Sequence, residues 1–166
     1  GNPGAANIWR EIGPVAGATV LILDILKGTA VTLPLFLLGD PWWAMFLGGG
    51  GLILGQFFPI FNRFRGNTGM AAMMGVSVGV FPLGALIAAP LTLIAIYLSK
   101  NTGWSGLLFF SLTAAAGFLL HDSIGGVMTV SALGVAVFVR SKIQYRPRDA
   151  GTGRRSEQSW PSDGQS

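Results

Sequence analysis

The sequence predicts an all-α, polytopic transmembrane helical bundle, and three observations carry that reading. Hydrophobic residues make up 51% of the chain and charged residues only 11%, well below the roughly 25% charged of soluble domains. Between Glu11 and Arg140 the only charged residues are Asp24, Lys27, Asp40, Arg63, Arg65, Lys100 and Asp122, which leaves long apolar stretches of membrane-span character. The 25 glycines suit close helix contacts in lipid, whereas a soluble bundle would need a charged face to present to water. The absence of cysteine removes disulfides, thiolate catalysis and cysteine-bound metal from consideration.

Taken in order, the chain opens on Gly1-Asn2-Pro3-Gly4-Ala5-Ala6-Asn7, without a methionine or an apolar signal. That start is expected of a fragment or a processed chain, inserted by its own spans or by one upstream. Residues 14–38 form the first apolar segment, ended by Gly39-Asp40-Pro41, where proline forbids simple helix continuation. Residues 42–61 form the next, opening with Trp42-Trp43 at headgroup level and closing before a basic, glycine-bearing loop over residues 62–69. Residues 70–99 are too long for one upright helix and are divided at Pro82, with a second interruption at Pro90. The first piece has about a dozen residues and reaches about 18 Å, short of a hydrocarbon core of roughly 30 Å. It must therefore thin the bilayer or sit against protein or water. A polar link at residues 100–103 precedes a segment over 104–120; a turn at His121-Asp122-Ser123 then leads into 124–139, which runs out into Arg140. About six membrane segments are thus expected in a domain spanning residues 1–143, followed by a polar, disordered tail over 144–166.

Basic residues predict the orientation. Arg10 precedes the first segment, Arg63 and Arg65 follow the second, Lys100 follows the fourth, and Arg140, Lys142, Arg146 and Arg148 follow the sixth. These ends share one face, which the positive-inside rule makes cytoplasmic, so the protein is expected in the cell membrane with its tail inside.

Several groups are candidates for chemistry. The opening loop presents backbone N–H groups and feeds a helix whose first turns carry Arg10, a combination suited to an anion. The competing reading is an interfacial helix with Asn7 as its N-cap. Asp24 and Lys27, three residues apart inside an apolar segment, share a helix face and can pair; a functional role and a structural pair beside Gly28 both fit. Gly66-Asn67-Thr68-Gly69 is similar to a phosphate-cradling loop but lacks the P-loop lysine. Arg63 and Arg65 nearby supply charge or anchor the topology. Gly48 to Gly51, Gly55, Gly75 and Gly79 have the spacing of helix-packing positions. His121, Asp122 and Ser123 are adjacent in sequence and so unsuited to triad geometry.

With these residues in hand, the chain resembles the bacterial acyl-phosphate glycerol-3-phosphate acyltransferase (PlsY) family over nearly its whole hydrophobic length. Residues 1–10 look like that family's Ser-Gly-Asn-Pro-Gly-Ala-Thr-Asn-x-x-Arg loop, and Asp24-Ile25-Leu26-Lys27-Gly28 looks like its Asp-x-x-Lys-Gly. Residues 55–69 resemble its Gly-His-x-Phe-Pro-x-Phe-x-x-Phe-x-Gly-Gly-Lys-Gly block. The resemblance implies a seven-span bundle, of which the first span precedes Gly1, with its site on the cytoplasmic side. It also implies acyl transfer from acyl-phosphate to glycerol 3-phosphate, giving lysophosphatidic acid without acyl-CoA, cofactor or metal. Asn2, Gly4, Asn7, Arg10, Gly66 and Gly69 are then the expected phosphate-binding residues, supported by Asp24, Lys27, Arg63, Arg65 and Lys100. The bilayer and the two substrates are the expected partners; nucleic acid is not. The chain departs from the pattern at Thr68 for the loop lysine, Gln56 for a histidine and Ala6 for a threonine. Residues 100–106 and 139–145 stand where the family has a serine-bearing stretch and a His-x-x-Asn-Ile-x-Arg block. These losses leave a second expectation open, a non-catalytic homologue that binds a phosphorylated lipid or metabolite.

Overall fold

The computed structural model describes residues 4–39, 41–59, 66–99, 102–121 and 123–144. Asn2, Asp40, Arg63, Arg65, Lys100, Asp122 and residues 145–166 lie outside the described residues. Within them the chain is helical: α1 (Ala5–Glu11), α2 (Pro14–Leu37), α3 (Trp42–Phe57), α4 (Met70–Val80), α5 (Pro82–Ser99), α6 (Thr102–His121) and α7 (Ile124–Gln144).

Local chemistry explains the breaks. Gly13 takes φ +139 between α1 and α2, and Gly39 takes φ +71 just past α2; both values favour glycine. Phe81 leaves the helical region at φ −135 and ψ 78 because Pro82 follows it. Pro82 then opens α5, where its missing N–H costs nothing. Pro90 does not break the chain: α5 continues through it to Ser99. Several boundaries also differ from the sequence expectation. α3 ends at Phe57 rather than residue 61, and α7 continues to Gln144, which the sequence reading assigned to the tail. His121 is the last residue of α6 rather than part of a turn.

α4 is the centre of the molecule. Ala71, Ala72, Met73, Gly75, Val76, Ser77, Gly79 and Val80 are all buried in it, and it touches α2, α3, α5, α6 and α7. Its 11 residues reach about 16 Å, and protein on all sides, not a thinned bilayer, accommodates the short length. Four helices, α2, α5, α6 and α7, contain stretches long and apolar enough to cross a membrane; α3 has 16 residues, about 24 Å.

The most extensive contact is α2 on α4. A Cβ on Gly28 would run into the Ala72 carbonyl, one on Gly75 into the Ile25 carbonyl, and one on Gly79 into Thr32. The backbones therefore approach more closely than any side chain would allow. Thr29 donates to the Gly75 carbonyl at 3.2 Å, and the buried Thr32 hydroxyl lies 3.0 Å from the Gly28 carbonyl and 3.2 Å from the Val76 carbonyl. Such bonds replace water for polar groups in an apolar setting.

The order of these contacts makes α2 and α4 parallel. α3 is antiparallel to both, with Gly48 beside Val31 and Leu35, and Gln56 beside Asp24. Gly106 packs on Met70 and Gly117 on Phe81, so α6 runs with α4. α7 runs against it, from Gly126 at Phe81 to Val137 at Gly69. The starts of α2, α4 and α6 thus share one end of the bundle with the ends of α3, α5 and α7. This is the alternation that the basic residues predicted.

Gly75→Val should separate α2 from α4 and lower stability by about 1 to 3 kcal/mol or more, since backbone rather than a flexible side chain must yield. Gly51→Ala meets nothing within 4 Å and should leave the melting temperature level or raised. Thermal unfolding of the purified protein in micelles checks both; equal melting temperatures would contradict the packing.

Candidate active site at the glycine-loop end

The site is built from the end of α3. Helix C-termini leave carbonyls without partners, and here Gln56 O accepts from Asn67 N at 3.1 Å. Phe57 O accepts from the Arg140 guanidinium at 2.7 Å. Gly66 lies so close that a Cβ would strike both carbonyl oxygens, so only glycine lets the chain return here. Gln144 Nε2 donates to Gly66 O at 3.0 Å. Gly69, at φ +75 and ψ 7, turns the chain into α4 and supplies its N-cap. Between these glycines, Asn67 is 9% exposed; its side-chain oxygen accepts from Thr68 N at 2.6 Å and Thr68 Oγ1 at 3.3 Å.

The opening loop meets this one. A Cβ on Gly4 would lie 2.8 Å from Asn67 Oδ1, so the two glycine-bearing segments, some sixty residues apart, form one surface. The helix that follows differs from expectation. Gly4, without a side-chain hydrogen bond, is the N-cap of α1. Asn7 lies inside the helix and donates to Glu11 Oε1 at 3.1 Å. Arg10 is in the last turn of α1, not the first turns of a long helix, because Gly13 separates α1 from α2. It is exposed there, and the contacts joining Gly4, Gly66 and Gly69 do not include it. α1 is held on α2 by Trp9, whose backbone leaves no room for a Cβ on Gly17.

Beneath this surface, Asp24 is 5% exposed. Lys27 Nζ lies 3.1 Å from its Oδ1, as the spacing predicted. Gln56 Nε2 donates to the same oxygen at 3.3 Å, a partner from α3 that the sequence did not disclose. The Lys27 side chain is 56% exposed, so its ammonium is tethered by Asp24 while open to solvent. Two other cations are engaged by aromatic rings. The Arg140 guanidinium lies 4.6 Å from the Phe57 ring centroid and 5.1 Å from that of Phe58; its buried Nε has no hydrogen-bond partner among the described residues. Lys142 Nζ lies 4.8 Å from the Trp104 ring centroid. Among the described residues no group of three or more His, Asp or Glu could hold a metal ion.

The structure therefore brings Gly4, Gly66 and Gly69 together and places Asp24 with Lys27; Asn2, Arg63, Arg65 and Lys100 lie outside the described residues. Asn67, Arg140 and Gln144 were not singled out as site residues by sequence. The signal for Asn67 was its place in the glycine-bearing loop 66–69; Arg140 and Gln144 fall in residues 139–145, where the chain departs from the family pattern.

A family described as glycerol-3-phosphate acyltransferase matches residues 1–147. The chain belongs to this family. It is 36% identical over 148 residues to "Glycerol-3-phosphate acyltransferase 2" of Lactobacillus johnsonii, covering 86% of this chain and 66% of that relative. The match to the glycerol-3-phosphate acyltransferase of Bacillus subtilis is 34% over 146 residues, covering 88% and 75%. The crystal structure of PlsY, an integral membrane glycerol 3-phosphate acyltransferase, in its glycerol 3-phosphate form superimposes with a TM-score of 0.76 at 25% identity. That match covers 87% of this chain and 72% of the other. The lysophosphatidic acid form gives the same score. The chain is thus an integral membrane member of the family, and it spans about two thirds to three quarters of the length of these relatives.

Removing Lys27 would leave the buried Asp24 with the neutral Gln56 amide but without a countercharge. Because the Lys27 side chain is 56% exposed, Lys27→Met should cost about 1 to 3 kcal/mol, and Gln56→Leu about 1 to 2. Asp24→Asn combined with Lys27→Met should recover much of the loss. A double-mutant cycle read by unfolding in micelles tests this, and purely additive costs would show that the pair does not interact.

Proposed function

We propose that this protein acylates glycerol 3-phosphate, taking the acyl group from an acyl phosphate and releasing lysophosphatidic acid and inorganic phosphate. The hydroxyl oxygen attacks the acyl carbon, the new ester bond forms as the bond to phosphate breaks, and the departing phosphate takes up the hydroxyl proton. Both substrates carry phosphate, so the site needs donors and cations in two places.

The observation that carries this reading is the contact of Gly4 with Asn67 Oδ1, which joins both glycine-bearing segments at the bundle end where the basic helix termini gather. In this reading Asn2, Gly4, Asn7, Gly66 and Gly69 shape the phosphate-binding surface and Arg10 supplies a guanidinium. Lys27, positioned by Asp24, adds an ammonium, and Arg63, Arg65 and Lys100 contribute charge. Family membership and the likeness to the glycerol 3-phosphate form of PlsY favour catalysis over a purely binding role. The excess of Lys and Arg at this end supports a cytoplasm-facing site in the cell membrane.

The test is formation of lysophosphatidic acid from acyl phosphate and labelled glycerol 3-phosphate by the full-length protein in lipid. Product well above that of Arg10→Ala is expected; equal product from both, or none, would overturn the reading. Thr68→Lys, alone or with Gln56→His, adds a flexible cation beside the start of α4. It should raise affinity for glycerol 3-phosphate up to about tenfold, measured as KM or by direct binding, and no change in a folded variant would place the phosphate elsewhere.

A further inference from the structure

We infer that Arg140 and Gln144, one turn apart on α7, are positioning residues that hold both ends of the α3-to-α4 connection and thereby set the affinity of the glycine loop for glycerol 3-phosphate. The inference rests on the reading that this loop binds the phosphate. Basic residues after a last membrane segment are ordinarily topological anchors, and glutamine has no such role. Yet Arg140 donates to Phe57 O at 2.7 Å and Gln144 to Gly66 O at 3.0 Å. Phe57 is the last residue of α3, and Gly66 is where the chain returns to it. The two side chains therefore grip either side of the same neck from a helix some eighty residues away in sequence.

The fit is specific to their chemistry. A guanidinium is planar and can lie over aromatic rings while one N–H reaches a carbonyl, as Arg140 does with the rings of Phe57 and Phe58 and the Phe57 carbonyl. A lysine would keep the charge and lose the flat face. Gln144 is the donor that engages Gly66 O, the carbonyl immediately before Asn67. Asn67 N bonds Gln56 O, and its side chain orients Thr68 N and touches Gly4. Displacing Gly66 thus moves both glycine-bearing segments together. A topological anchor requires none of these contacts.

The experiment uses the full-length protein in micelles with two independent readouts. Amide hydrogen exchange follows Asn67, whose N–H is protected only while the loop is seated on α3. Steady-state kinetics follow KM for glycerol 3-phosphate against kcat and against KM for the acyl phosphate. Gln144→Met, close in size but without a donor, should speed exchange at Asn67 and raise KM for glycerol 3-phosphate by about five- to tenfold, the worth of one hydrogen bond, with kcat and the other KM within about twofold. Gln144→Arg restores a donor and should return both readouts toward the parent. Arg140→Lys should behave like Gln144→Met, whereas an anchor role predicts no change. Unaltered exchange in Gln144→Met and Arg140→Lys would overturn the inference. Faster exchange with unchanged KM in an active enzyme would also overturn it, by separating the loop's seating from substrate affinity. If the parent protein forms no product and binds no glycerol 3-phosphate, the proposed function fails and with it the affinity half of the inference, while exchange still decides whether the two residues hold the loop.

Discussion

Everything in this bundle depends on the direct backbone contact between α2 and α4. In lipid there is no hydrophobic gain from pressing two apolar helices together, so association relies on close packing and on hydrogen bonds that water would otherwise make. Gly28, Gly75 and Gly79 remove the side chains that would hold the helices apart. Thr29 and Thr32 then place hydroxyls against carbonyls across or within the seam. The result fixes an 11-residue helix, too short to cross a membrane alone, at the centre of the molecule with five helices around it.

That placement determines where the site lies. Because α4 is short and parallel to α2, its first residues fall near the level of Asp24, partway along α2, instead of at the end of α2. The carboxylate is therefore buried just beneath the surface that the loop 66–69 forms. Lys27 and Gln56 reach it from α2 and α3, and the end of α3 stops at the same level. Its exposed carbonyls become the template on which the loop and α7 are assembled. Gln56 O accepts from Asn67 N of the returning loop, while Phe57 O and the Gly66 O of that loop accept from α7, far along the chain.

The opposite end of the bundle is built by aromatic packing. Phe81, at the break between α4 and α5, lies against Gly117 and Gly126 and stacks on His121 at 6.0 Å, while Phe36 meets the same imidazole edge-on at 5.8 Å. Trp42 covers Gly125. At the glycine-loop end the rings of Phe57, Phe58 and Trp104 are packed with cations, in line with the split between its basic helix ends and the charge-poor links of the opposite face.

The sequence by itself determined the class, the number and approximate limits of the apolar segments, their alternating direction and the pairing of Asp24 with Lys27. Each of these follows from composition or from neighbours within one helix turn, where geometry is set locally. It misjudged where some helices begin and whether they continue. Asn7 was readable as a cap, and Arg10 as part of a helix start, until Gly13 was seen to divide α1 from α2. Pro90 was readable as a break, although α5 continues through it. Only the tertiary structure decided that the short α4 is sheathed in protein, that Gln56 completes the Asp24 pair, that Gly4 meets Asn67, and that Arg140 and Gln144 hold the ends of a distant loop. Those contacts join groups tens of residues apart, and Arg140 and Gln144 make theirs to backbone carbonyls, which every residue type carries, so no pattern of side chains along the chain announces them.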